Sequence, residues 1–147
     1  MNNPAAFVEA SNLLTTIFGG WPSFHDAEVI TIDLWRGDIC PERESWVGPV
    51  LTARILVLEA TQLGAQHAGN DILVTLRFHG VKDLRILNFN HENSIIDLSL
   101  TPGSSDRGRT SYVRVCFEEG FGINASFHCS RVEVSGAEPF SRAQQLA

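Results

Sequence analysis

The spacing of apolar positions changes once along the chain. Over residues 4–18, PAAFVEASNLLTTIF, the side chains Phe7, Leu14, Ile17 and Phe18 fall near one helical stripe, which predicts an amphipathic helix. Asn3 suits its N-cap and Pro4 its first position, while Gly19-Gly20 supplies the left-handed backbone that ends it. From residue 28 the period becomes two. In EVITIDLWR (28–36), Ile30, Ile32 and Leu34 alternate with Thr31, Asp33 and Trp35. Further strands are predicted at LTARILVLEA (51–60), DILVTLRFHG (71–80), KDLRILNF (82–89), SIIDLSL (94–100), SYVRVCF (111–117) and INASFHCSRVEV (123–134). The last is long and changes phase near Ser130, as a bulged or bent strand does.

Turn chemistry fills the gaps at HGVK, NHEN, TPGSSDRGR and EEGFG, with asparagines in NFNHEN able to take a positive φ. Seven short strands on hairpin-length links predict an antiparallel meander, because parallel pairing needs long crossovers. The fold class is therefore α+β: an N-terminal helix, 4–18, packed on a sheet of about seven strands between 28 and 134. One domain over 1–147 is expected, ending in a short polar tail at 138–147. Two loops, 37–49 and 61–70, are longer than the rest.

Composition narrows the partners. A chain of 147 residues buries roughly 68–70% of its unfolded surface and needs no staples. Its formal net charge of −6 disfavours nucleic acid, which asks for a basic stripe, and favours a basic protein partner. Cys40, Cys116 and Cys129 are odd in number with no CxxC spacing, so free thiols in a reducing compartment are expected. The N-terminal stretch lacks the pattern of a signal peptide, and no apolar run reaches the ~20 residues of a membrane span. A cytoplasmic location with no membrane association follows as the expectation.

Chemistry is sparse. In GGWPSFHDAEV (19–29), an extended backbone would place Asp26 and Glu28 on one face and His25 on the other, a poor arrangement for three ligands. The segment reads as a joint in which Ser23 or Asp26 satisfies backbone donors while Trp21 and Phe24 plug the helix–sheet seam. Direct chemistry or partner contact at His25, Asp26 and Glu28 is the competing reading. His67, His79, His91 and His128 follow no HxH, HxxxH or HExxH spacing, and neither a GxSxG elbow nor a phosphate loop is present. No enzyme, no cofactor and no metal are therefore expected. Trp35 lies on the polar phase of its strand, and Trp46 sits among Glu42, Arg43 and Glu44 in the 37–49 loop. Tryptophan ringed by charge makes an interface anchor, so Trp35, Asp38, Glu42, Glu44 and Trp46, with Asp33 nearby, form the candidate partner-binding surface.

The blocks FGGWPSFHDAEV (18–29), LTARI (51–55), VTLRFHGV (74–81) and LNFNHEN (87–93), in this order, resemble the immunity protein 50 family of bacterial polymorphic toxin systems. Trp21, Phe24, His25, Asp26 and Glu28 carry the most specific part of that resemblance, which extends over roughly residues 7–134. It implies a non-catalytic protein that binds and neutralises a cognate toxin, and it brings no catalytic residues with it. Two other readings stand beside it: a small-ligand or metal-binding α+β domain centred on WPSFHDAE, and a homodimer built on an exposed edge strand.

Overall fold

Among the described residues the period-two segments form eight strands rather than seven, divided between two sheets. The computed structural model describes residues 3–39, 48–57, 71–108 and 110–140. Strands β1 (Glu28–Trp35), β2 (Val50–Val57), β3 (Asp71–His79) and β8 (Arg131–Phe140) make one antiparallel sheet in that order. The second sheet, also antiparallel, runs β4 (Lys82–Leu87), β7 (Asn124–Cys129), β6 (Thr110–Glu119), β5 (Ile95–Ser105). The class expected from the sequence therefore holds only coarsely: the described residues are mostly antiparallel sheet with one short α-helix, and the seven-strand meander is replaced by two layers.

The physical reason lies in two bends. β3 leads into β4 through Gly80-Val81, and β7 leads into β8 through Ser130, so each pair is one long strand that leaves one sheet and enters the other. The phase change near Ser130 marks the second bend. The two bends lie side by side, with the N–H and hydroxyl of Ser130 both donating to the carbonyl of His79 at 2.8 Å. Gly80 has φ +71°, and a Cβ there would come within 2.6 Å of Ser130 Oγ. Only glycine turns this corner without strain.

The N-terminal helix is also interrupted. Asn3 does act as an N-cap, its side chain accepting from the N–H of Ala5, but the helix it caps is a short 3-10 turn, Pro4–Ala6. The α-helix α1 spans only Asn12–Phe18 and ends at Gly19 with φ 78°. Between them Glu9 is extended beside β8, donating to Val132 O and accepting from Val134 N–H, both at 2.9 Å, and Ala10 takes φ 57°. A residue paired with a strand cannot also lie in a helix, so the tertiary pairing overrides the local pattern. Of the predicted stripe, Leu14 is fully buried and Phe7 and Phe18 pack against the core, whereas Ile17 is exposed.

The core fills the space between the layers. Leu51, Ala53 and Ile55 of β2, with Val74, Leu76 and Phe78 of β3, face Val115 and Phe117 of β6 and Ala125 and Phe127 of β7. Phe78 meets Phe127 edge-on with ring centroids 5.1 Å apart. Each such side chain contributes about 1.5–3 kcal/mol through burial. The link NFNHEN does not close a hairpin as its turn chemistry suggests. β4 and β5 are opposite edges of their sheet, because the β6–β7 hairpin lies between them, and residues 88–94 cross the sheet's end. Asn88 nevertheless takes the positive φ expected, 60°. The predicted tail at 138–147 begins inside β8, and its residues 141–147 lie outside the described residues.

Candidate functional site

The segment 24–29 lies at the second place where the two sheets meet. Asp26 N–H donates to Ile95 O at 2.9 Å, Ile95 N–H returns to Ala27 O at 2.9 Å, and Val29 N–H reaches Asn93 O at 3.0 Å. The start of β1 is thereby paired with the start of β5, joining the edge of one sheet to the edge of the other. Phe24 is buried beneath this junction, with Trp21 half-buried against it at a centroid distance of 5.9 Å.

The three ionisable residues divide their roles. Ser23 Oγ accepts from the backbone N–H of His25 at 3.1 Å, so the turn donor is satisfied by Ser23. His25 Nδ1 lies 3.0 Å from Ile96 O, an acceptor that holds the ring proton on Nδ1. Asp26 is not on extended backbone: its φ of 62° turns the carboxylate toward His25, with Oδ2 3.6 Å from Nε2, both groups being exposed. Glu28 instead extends an oxygen to within 3.4 Å of Asn93 N–H. The expectation that Asp26 and Glu28 share a face fails because the left-handed turn intervenes.

Asn93, which the sequence did not single out, is the centre of this region. It is buried, and its Oδ1 accepts from Asn90 N–H at 2.9 Å and from Ile123 N–H at 3.2 Å, while its amide donates to Asn90 O. The EGFG turn packs on the same stretch. Phe121 N–H donates to Ser94 O at 2.8 Å, and Gly122, φ +84°, lies so close to the carbonyl of Glu92 that no Cβ fits. Two motif blocks far apart in sequence, FHDAE and NHEN, thus interlock through backbone groups. The signal was present in the asparagines of NFNHEN, but a buried asparagine cannot be told from a turn asparagine by spacing.

The other candidates are dispersed. Trp35 ends β1 on the outer face of its sheet, opposite Val50, and is about half exposed. Asp33 precedes it on the same face opposite Thr52, and Asp38 is half-buried. Glu42, Glu44 and Trp46 lie outside the described residues, as do Cys40 and His67. His79 pairs with Glu133 at 2.8 Å, and His128 sits 3.7 Å from Asp83 with its ring tilted against that of Tyr112. Among the described residues no three of His, Cys, Asp and Glu converge as a metal site. Burial pushes the Cys129 thiol up to about 12 and also raises that of half-buried Cys116, where Glu118 adds to the rise and Arg114 opposes it. Neither thiol is an activated nucleophile. No described helix is long and apolar enough to cross a membrane.

A protein-family model described as Immunity protein 50 matches residues 10–140. No curated protein and no solved structure matches the chain.

Proposed function

The chain belongs to the immunity protein 50 family, and from that premise we propose that it binds and neutralises a cognate toxin domain of a bacterial polymorphic toxin system, without catalysis, in the cytoplasm of the producing cell. The observation that carries the reading is the length of the family match, which spans α1, both sheets and both places where they meet. The net charge of −6 supports a basic toxin as the partner, since opposite charge speeds encounter more than it deepens affinity.

The metal- or ligand-binding alternative centred on WPSFHDAE finds less support. His25 and Asp26 approach each other at 3.6 Å, but Glu28 is engaged with the backbone N–H of Asn93, so the three do not converge on one ligand. The test is growth of a host expressing the toxin-like domain encoded beside this gene, with and without the protein. Rescue is expected, and a toxic neighbour with no rescue overturns the proposal. Once rescue is in hand, Trp35→Ala and Trp46→Ala are each expected to weaken toxin binding in calorimetry with the fold intact. Unchanged affinity in both would remove the tryptophans from the interface.

A further inference from the structure

An open strand edge lies beside the FHDAE junction. β5 is paired with β6 on one side only, and its outer edge is taken up by residues 26–28 no further than Ile96. Beyond that point the outward groups can be read from the ladder. Leu98 N–H donates to the carboxylate of Asp97 at 2.9 Å, so it faces away from β6, and by strand alternation Leu100 does the same. Pro102, next in this phase, has no N–H to offer and ends the edge. Facing Asp97–Thr101 across a cleft of about 310 Å³ are Pro4, Trp21, Pro22 and Phe24. Five residues of edge measure roughly 17 Å.

The geometry points to a peptide-binding cleft: an extended segment of a partner protein, carrying lysine or arginine, adds to β5 as a further strand. Alternation fixes its pattern. The residue opposite Leu98, where the Asp97 carboxylate holds the N–H and the carbonyl is the open group, and the residue opposite Leu100 share the inward face of those leucines, toward Phe24 and Trp21, and should be apolar. The intervening residues share the outer face with Asp97, which is exposed and opposite Glu118, and should be cationic. Among the described residues Asp97 is the one charged side chain lining the cleft, and no cation lines it. A second copy of this chain is the poorer occupant. A copy would carry its own net charge of −6 to a cleft whose charged group is Asp97, and would bring its own wall of Trp21 and Pro22 with it. Identifying the peptide with a segment of the toxin rests on the function proposed above; the cleft's preference for such a strand does not.

The probe is the capped heptapeptide Lys-Val-Lys-Val-Lys-Val-Lys, titrated into the nitrogen-15-labelled full chain and followed by NMR. Saturable shifts are expected at the Leu98 and Leu100 amides and the Trp21 indole. Asp97→Asn, which keeps an acceptor for Leu98 N–H, should weaken binding roughly threefold, and Asp97→Lys roughly tenfold. N-methylation of the valines should abolish it by removing the donors aimed at β5. Equal binding by the methylated peptide, shifts confined to other surfaces, or no saturable shift overturns the proposal. So does a Leu100 amide already protected from exchange in the free chain, whether by a second copy or by the chain's own residues. The toxin assignment is read separately, by growth rescue. Wild-type failure sinks the immunity reading, whereas wild-type rescue matched by Asp97→Lys leaves the immunity reading standing and removes the toxin from the cleft.

Discussion

Among the described residues the two sheets are joined at two places, and these are built in opposite ways. At the Gly80–Ser130 corner, two strands bend and continue, so the chain itself makes the connection, and the local demand is one glycine and one small hydroxyl residue. At the His25–Asn93 junction, three segments remote in sequence, 24–29, 88–95 and 120–123, are tied by side chains and backbone groups across strand ends. The residues that carry the family resemblance most specifically gather at the second. A bent strand tolerates many sequences, but a junction of loops needs a named partner for each buried donor. A specific motif at such a place marks the cost of closing the fold, and does not by itself mark the surface that meets a partner.

This contrast predicts unequal sensitivity. Asn93→Ala strands the buried N–H of Ile123, and also removes the part-buried bonds to Asn90, and should cost about 2–4 kcal/mol in urea unfolding, the largest effect of any single polar change. A loss below about 1 kcal/mol would mean that the amide is replaceable and the junction is not held from its centre. Gly122→Ala combines a positive φ with overlap on the Glu92 carbonyl, which is backbone and cannot swing aside, and should cost about 2–3 kcal/mol. At the other corner Gly80→Ala meets mainly the Ser130 hydroxyl, which can rotate, so about 1–2 kcal/mol is expected. Reversal of the last two would show that the continuous corner is the stiffer one.

The same contrast explains how far the sequence could be read. Strand positions were legible because period-two patterning is local: β1 and β3 fall within one residue of the expected segments. Even the Ser130 bend left a trace, since crossing between sheets reverses which phase is buried. The division into two sheets was not legible, because HGVK at 79–82 has the composition of a hairpin turn and only its position beside Ser130 makes it a corner. Glu9 was hidden for a related reason. Its pairing with Val132 and Val134 is a contact over more than 120 residues that no local window contains. At the junction, Trp21 and Phe24 were recognisable by their size and apolarity. Asn93 was not, because its importance comes from burial, and burial is a property of the assembled fold.

The smallest expected effect decides what the FHDAE block is for. The side chain of His25 is more than half exposed, and among the described residues its one bond to the protein backbone is the contact of Nδ1 with Ile96 O. As a junction residue, His25→Ala should cost about 0.5–1 kcal/mol of stability, the net worth of a solvent-accessible hydrogen bond, and leave toxin affinity unchanged once rescue is established. His25→Asn can still donate from its amide and should recover part of that loss. As a contact residue the pattern inverts, with stability unchanged within about 0.3 kcal/mol and affinity falling tenfold or more, because truncating an interface anchor costs upward of about 1.4 kcal/mol. Urea unfolding and calorimetry on the same two variants separate these outcomes. The bond to Ile96, on the edge where the peptide cleft begins, favours the first and makes His25 the residue that seals the near end of the open strand.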